Sequence, residues 1–470
     1  MKKNKVFLVC TPTDIAEEIY ASKKRFYNLG LGYLGAVLEQ KGHEVKLFDF
    51  FCTPLRMVKK DFIKDFIKQK PDVVGFSIWT GNRVTSFRLI RILKKIRPDI
   101  KIVTGGVHCS TLYEQILNNY PVDVVCIGEG ESVINQLVEN ISNKRKLEEI
   151  KSIAFIKNGG VVRTADAPPI SNLDSLPFPK HESFLTPKSK IAYMSTSRGC
   201  VSRCVFCSAS AYWRSWRQRS VKNIIEEIMY IKKRFPNIKH IQFTDDAFTL
   251  DNKRVIDLCQ KLIEKKIRIT WNCVTRVYPI SLEMLKYMKK AGCKQISFGV
   301  ESGSEKILKL IKKNVTKEQT MKAFKLAKQA KLKIYAFMIV GLPSESDETI
   351  NETIGFLKKI DCAVPGASIL EIHPNTEIYE IAKRNGFIDD SYWLTEKEVP
   401  FYTYELPIQK LRSMVFKLVY QSFKNKGIHH LICFAIKRTI RRPKLTIQNI
   451  KTLVFNRVKQ NIRLLSLTIQ

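Results

Sequence analysis

No stretch of this 470-residue sequence approaches the ~20 consecutive apolar residues that a membrane-spanning helix requires, which excludes a helical integral membrane protein. The N-terminus carries no secretory signal, so the expected compartment is a reducing cytoplasm in which cysteines remain thiols. No internal repeat and no low-complexity segment is present, which sets aside solenoids and tract-like linkers. Acidic residues stop at Glu405, while lysines and arginines continue as far as Arg463. The whole chain is basic, with a formal net charge of +36, but only this tail is basic without any compensating acid. What is present is 44% hydrophobic residues, enough core for two or three domains of ordinary size.

The first ~150 residues alternate short apolar runs with amphipathic stretches, the pattern of a parallel sheet with helical crossovers. Strands are expected over 6–10, 45–50, 73–78, 101–104 and 124–127. Between the first two, Leu31, Leu34, Val37 and Leu38 recur at helical spacing, and Gly42 is placed to end that helix. A doubly wound, Rossmann-like α/β domain over 1–150 follows. Gly105-Gly106 and Gly128-Glu129-Gly130-Glu131 come directly after strands, where open α/β sheets bind ligands. A hairpin around Asn158-Gly159-Gly160 and a proline-rich connector are assigned to 151–188.

A second alternation occupies 189–402, with strands expected at 191–195, 240–244, 268–272, 295–299, 333–340 and 366–371. Six strand–helix units suit a partial barrel whose functional loops lie at the strand C-termini. A helix over 221–235 is expected to bury Val221, Ile224, Ile225, Ile228 and Met229. The basic region 403–470 opens with Leu411, Met414, Val415, Leu418 and Val419 at helical spacing, a stripe suited to packing on the barrel.

After the first barrel strand stands Gly199-Cys200-Val201-Ser202-Arg203-Cys204-Val205-Phe206-Cys207. This C-x3-C-x2-C spacing supplies three thiolates, one fewer than an ordinary iron–sulfur site, so one iron is left open to another ligand. Zinc sites also gather cysteines, but they close with four ligands. Neither Cys nor His follows Cys207 until His240, so no fourth ligand is at hand. The remaining cysteines are scattered, mostly inside apolar runs such as Val124-Val125-Cys126-Ile127, and read as inert core thiols.

The motif, with Phe206 ahead of its last cysteine, resembles that of the radical S-adenosylmethionine (SAM) superfamily. The likeness continues through Phe298-Gly299-Val300-Glu301-Ser302-Gly303-Ser304, Lys313, Thr316 and Met338-Ile339-Val340-Gly341-Leu342-Pro343-Ser344-Glu345-Ser346. Thr244-Asp245-Asp246-Ala247-Phe248, Trp271-Asn272-Cys273-Val274-Thr275-Arg276 and the connector at 172–179 make it most similar to the class whose N-terminal domain binds cobalamin. The resemblance covers roughly residues 5–400. It implies that Cys200, Cys204 and Cys207 ligate a [4Fe–4S] cluster whose open iron takes the amino and carboxylate groups of SAM. The reduced cluster then splits SAM into methionine and a 5'-deoxyadenosyl radical.

The same resemblance implies SAM contacts at Phe206 and Gly341 (adenine), Glu301 (ribose or amino group), Arg276 (carboxylate) and Asp245. A carboxylate can accept two hydrogen bonds from a ribose diol, and arginine can grip a carboxylate bidentately. The plainer alternatives are solvated loop acids and an arginine neutralising a neighbouring acid. Ser77, Gly105, Gly106 and Gly128 are implied to line the cobalamin groove, the alternative being ordinary tight turns. The axial-histidine motif D-x-H-x-x-G is replaced by Asp49-Phe50-Phe51-Cys52-Thr53, so the lower face of cobalt is expected to be bare or water-bound.

The implied function is transfer of a methyl group from cobalamin to an unactivated carbon of a small-molecule or lipid-like substrate. An external electron donor of flavodoxin or ferredoxin type would serve it. The rivals are radical oxidation or ring closure, as in the anaerobic magnesium-protoporphyrin ester cyclases, and a non-enzymatic cobalamin or redox sensor. Methylthiolation of tRNA would need a second cysteine triad, which Cys10, Cys52, Cys109 and Cys126 do not supply. The tail segments 430–439 and 446–465 mix apolar residues with Arg and Lys. That mixture suits peripheral contact with an anionic membrane surface, at about 1 kcal/mol per cation. Two aromatics, Phe434 and Phe455, are too few for base stacking, which disfavours nucleic acid. A merely solvated tail is the alternative.

Overall fold

The computed structural model describes residues 3–16, 26–213, 215–361 and 365–424. Its first sheet comprises β1 (Lys5–Cys10), β2 (Glu44–Asp49), β3 (Val73–Ser77), β4 (Lys101–Gly105), β5 (Val124–Cys126), β6 (Ile153–Lys157) and β7 (Gly160–Arg163). The first five run parallel in the order β2-β1-β3-β4-β5, while β6 and β7 extend the β5 edge antiparallel. Helices cover both faces, so a central strand must be apolar on both sides; in β1, Val6, Phe7, Leu8 and Val9 are all buried. The helix Leu29–Gln40 begins where Asn28 Oδ1 accepts from Leu31 N, and Gly42, at φ +83°, turns the chain out of it.

One expectation is corrected here. The hairpin assigned to the connector belongs to the N-terminal sheet, with Val124 opposite Phe155 and Cys126 opposite Ile153. Ile153, Ala154 and Phe155 are buried, and their pairing covers an edge that β5 would otherwise leave open. The connector proper carries two short 3-10 turns, Leu173–Ser175 and His181–Ser183. His181 is fully buried, its Nε2 2.7 Å from Glu227 Oε1 and its Nδ1 3.4 Å from the Tyr27 hydroxyl. Burial alone would raise the Glu227 carboxyl, but Arg219 and His181 more than offset this and hold it below the usual range.

The second sheet contains β8 (Ile191–Met194), β11 (His240–Phe243), β12 (Thr270–Thr275), β13 (Cys293–Glu301), β14 (Lys333–Val340) and β15 (Pro365–Ile369), all parallel and in chain order. The short pair β9 (Ser197–Arg198) and β10 (Arg217–Gln218) stands apart from it. With β8 and β15 as its two edges, the sheet is the partial (β/α)6 barrel expected. β12 starts two residues later than expected, because Thr270 is the residue that pairs with His240. In the helix Val221–Arg234, Ile224, Ile225 and Ile228 are buried as expected, but Met229 is exposed; the buried stripe continues instead through Ile231.

Leu411, Met414, Val415, Leu418 and Val419 join the barrel core from the helix Ile408–Lys424, which packs on β15 and on the helix Asp347–Lys359. Between these two domains the chain shares a core: Phe7, Ile90 and Leu93 of the first belong to one cluster with Val205, Ile307, Leu342 and Ile378 of the second. Beyond the barrel the chain returns to the N-terminal domain. Arg83 donates to the Thr395 and Lys397 carbonyls and lies 5.3 Å over the Trp393 ring, while Arg88 Nε donates to Glu396 at 2.7 Å. The tail segments at 430–439 and 446–465 lie outside the described residues. Among the described residues no helix is long and apolar enough to cross a membrane.

Candidate active site

The cysteine loop is fixed on both sides. Upstream, Asp245 accepts from Thr196 N at 3.1 Å, Thr196 Oγ1 at 2.7 Å and Ser197 Oγ at 2.5 Å. Asp245, expected at SAM, therefore spends its buried carboxylate on the strand that leads into Cys200. Its neighbour Asp246 follows the end of β11, where desolvation together with the Asp245 charge pushes it up to about 6. Gly199 sits at φ +81°, and a Cβ there would lie 2.4 Å from Ser215 O, so only glycine fits between Arg198 and Cys200. Downstream, Val205 N donates to Ile311 O at 3.2 Å and Val205 O accepts from Ile378 N at 3.1 Å. Phe206 is half-buried against the shared core.

Glu301 and Arg276, expected at different groups of SAM, are both linked to Lys313, the first through its side chain and the second through its backbone. Lys313 Nζ lies 2.7 Å from Glu301 Oε1, with both side chains under a tenth exposed. Burial would lower the Lys313 pKa, but Glu301 and then Cys204 raise it above the ordinary value, so the ammonium persists. Burial pushes the free Cys204 thiol up to about 11, opposed first by Lys313 and, more weakly, by Arg276. Metal coordination reverses that preference, since the thiolate is the ligand. Glu301 ends β13 in the left-handed region, at φ +66°. Gly299 leaves the room this needs: a Cβ there would stand 2.6 Å from Glu301 Oε1 and 2.9 Å from Lys313 Nζ. Arg276 Nη2 reaches the Lys313 and Asn314 carbonyls at 3.4 Å, while its buried Nε has no partner among the described residues.

These groups fit an iron–sulfur cluster with SAM. Three half-buried thiols on one loop suit a cluster in which each sulfur meets its own iron. The unpartnered Arg276 Nε beside Cys204 offers a donor to an anionic ligand. Gly341, at φ +86°, forms a turn whose N–H donates to Glu345 Oε2 at 2.5 Å. Its open side is filled by Leu411, 3.2 Å from where a Cβ would stand, so any contact with adenine comes through its backbone.

In the N-terminal domain, Ser77 ends β3 beside β1, where the strand order changes direction, and its Oγ accepts from Asn28 Nδ2 at 3.1 Å. Gly106, at φ +100°, is backed by Ile78, whose carbonyl would lie 2.7 Å from a Cβ, so packing alone already demands glycine there. A Cβ on Gly105 would make only ordinary contact with Cys126. Gly128, at φ +74°, faces space with nothing within 4 Å. It lines a cavity of about 190 Å³ shared with Ser110, Ser132, Arg163, Tyr212 and Asn375. This opening at the strand ends, next to the helix Ser208–Trp213 that follows Cys207, fits part of a corrinoid. His108 lies buried against Phe87 and Trp393, and burial pulls its pKa down to about 3, so its imidazole stays neutral.

The residue pattern did not assign the contacts that join the two domains. Arg198 Nη1 donates to Glu129 Oε1 at 2.6 Å and its Nη2 to Glu131 Oε1 at 2.7 Å. Arg217 takes the other Glu129 oxygen at 2.6 Å, and the Tyr212 hydroxyl donates to Gly128 O at 2.6 Å. The only signal available was a charged residue wedged between a buried strand and Gly199, and two acids flanking Gly130.

A three-cysteine loop at the mouth of a partial barrel, bonded to a doubly wound domain, defines a radical SAM enzyme. The radical SAM superfamily matches residues 194–357 and a B12 binding domain matches 20–138. An uncharacterized methyltransferase of Pyrococcus horikoshii is 32% identical over 457 residues, covering 96% of this chain and 95% of that protein. The anaerobic magnesium-protoporphyrin IX monomethyl ester cyclase of Rubrivivax gelatinosus is 30% identical over 338 residues, covering 69% of this chain and 60% of the relative. Among solved structures, the radical SAM methyltransferase TsrM of Kitasatospora setae, with cobalamin and a [4Fe–4S] cluster bound, has the same fold at a TM-score of 0.67 and 18% identity, covering 82% of this chain and 75% of its own. The chain belongs to the radical SAM superfamily, in the branch that sets a B12-binding domain ahead of the barrel, and its cofactors are a [4Fe–4S] cluster, SAM and cobalamin.

Proposed function

We propose that the protein methylates an unactivated carbon of a small-molecule or lipid-like substrate, drawing the methyl group from SAM by way of cobalamin. The observation that carries this reading is the join itself: Arg198, Arg217 and Tyr212, which flank the cysteine loop, are bonded to the 128–131 loop of the B12-binding domain. When bound, the cluster supplies reductive cleavage of SAM, and cobalamin supplies a transferable methyl group. The chain's own residues bind and orient. Arg276 Nε is available to the SAM carboxylate, and Glu301, held by Lys313, is available to its ribose or amino group. Lys313 also sets a positive charge beside Cys204, which favours the thiolate. Asp245 and Gly199 keep Cys200 in place. An external flavodoxin- or ferredoxin-type donor supplies the electron.

The near full-length match to a methyltransferase supports methyl transfer, and the cyclase match keeps radical ring closure as the second reading. The test is anaerobic incubation of the loaded enzyme with dithionite, methyl-labelled SAM and a small-molecule and lipid extract. Label should appear in an extracted product together with 5'-deoxyadenosine. 5'-Deoxyadenosine without transferred label would overturn methyl transfer in favour of cyclisation. We also propose that the basic tail touches an anionic membrane surface. Equal sedimentation with anionic liposomes by the full chain and by a chain ending at 424 would refute that contact.

A further inference from the structure

The strand β9 ends two residues before the first cluster cysteine, and what holds it comes from the other domain. The Arg198 guanidinium is 8% exposed and is gripped by Glu129 and Glu131, whose side chains are 11% and 8% exposed. Two rings pack on it as well, Tyr33 from the helix Leu29–Gln40 and Trp213 from the helix after Cys207, each 5.3 Å away. A planar fork held by two carboxylates and packed against two rings cannot turn without moving its partners. Nor can the intervening residue absorb motion, since Gly199 is pressed against Ser215 O. A displacement of the 128–131 loop must therefore pass along Arg198 to Cys200.

That loop is also a wall of the cavity that opens beyond Gly128. Glu129 lines the cavity while holding Arg198 with one oxygen, and Arg217 and the Ile170 N–H with the other. Whatever occupies the cavity and orders 128–131 orders the carboxylates that aim Arg198. The same contacts run in the other direction, because a cluster that fixes Cys200 fixes Arg198 and through it Glu129 and Glu131.

We infer that Arg198, Glu129 and Glu131 form a positioning device that makes corrinoid binding and iron–sulfur binding mutually favourable. Neither residue type touches the reacting atoms; both act through Cys200 and the 128–131 loop. The inference rests on the cofactor assignment and goes beyond it by naming the residues that link the two sites. Reciprocity is a thermodynamic requirement: if the cluster tightens cobalamin binding by some factor, cobalamin tightens cluster retention by the same factor.

The experiment is a hydroxocobalamin titration, followed by absorbance, of full-length protein with its cluster reconstituted and of the same protein stripped of iron. Cluster-loaded wild type should bind about fivefold or more tightly than the stripped form, the lower end of usual coupling. In Glu131→Gln and in Arg198→Lys, which keeps the charge but loses the fork, that ratio should fall towards one. Tyr212→Phe, which removes only the bond to Gly128 O, guards against a variant that fails to fold, and should reduce the ratio in the same direction. Iron retained after a fixed exposure to chelator, with and without cobalamin, should give the same ordering. Equal affinity of the two wild-type forms overturns the coupling while leaving the cofactor assignment intact, as does an unchanged ratio in all three variants. Failure of both wild-type forms to bind cobalamin overturns the coupling and the assignment together.

Discussion

Replacing Lys313 with methionine tests the central pair of the site. The ammonium and Glu301 Oε1 are 2.7 Å apart, with side chains 8% and 9% exposed, so water cannot take over the role of the lost partner. Methionine fills much of the same volume, which leaves an unpaired buried carboxylate as the main perturbation. Breaking one half of such a pair costs about 3–5 kcal/mol. For a barrel of this size each kcal/mol moves the midpoint by roughly 2–4 °C, so thermal unfolding should fall by roughly 6–20 °C. The measurement is far-UV circular dichroism on cluster-free protein, which keeps metal loss out of the comparison. Glu301→Gln/Lys313→Met should recover most of the loss, because it removes the orphaned charge. A single variant within about 2 °C of wild type, or a double variant no better than the single, would refute the reasoning.

Gly299→Ala drives a methyl group into the same pair, so the Gly299→Ala/Lys313→Met double variant should cost clearly less than the sum of the two single variants, and full additivity would contradict the shared site. Gly199→Ala meets a backbone carbonyl that cannot step aside, and reconstituted iron per chain should fall well below wild type; normal iron content would contradict the packing argument. Glu345 is pushed by burial from 4.5 up to about 7, so between those values the folded state holds a proton that the unfolded state has released. Stability should therefore decline as pH rises through that window, by at most about 3 kcal/mol, and Glu345→Gln should flatten the decline in urea titrations.

Much of this architecture was legible because it is local. Period-two and period-3.6 patterns placed all six barrel strands, and the stripe Leu411–Val419 was recognisable as a packed helix from its spacing alone. Glu301 and Arg276 could be placed near one another in advance, since one ends β13, the other follows β12, and the barrel brings strand ends together. The misses have a common cause in partners distant along the chain. Asp245 looked like a loop acid until Thr196, between β8 and β9, and Ser197 of β9 came alongside. Lys313 was visible as a motif residue, but nothing in its surroundings announced that Glu301 would need it. The hairpin's membership in the first sheet depended on an unpaired edge, which no window of residues reveals. Gly106 and Gly128 look alike in sequence, yet one is pressed on Ile78 and the other faces open space.

The return of the chain to the N-terminal domain after the barrel sets a schedule for its own synthesis. The first sheet can close once β7 has emerged, but Arg83 and Arg88 find Thr395, Glu396 and Lys397 only after the entire barrel has followed. Domains fold as units while translation proceeds. For most of that interval the N-terminal unit holds the barrel through the Arg198 contacts, the connector and the part of the shared core that has already emerged. This second clasp is therefore among the last inter-domain contacts of the described residues that the ribosome makes available, close to the emergence of the helix Ile408–Lys424 that completes the barrel core.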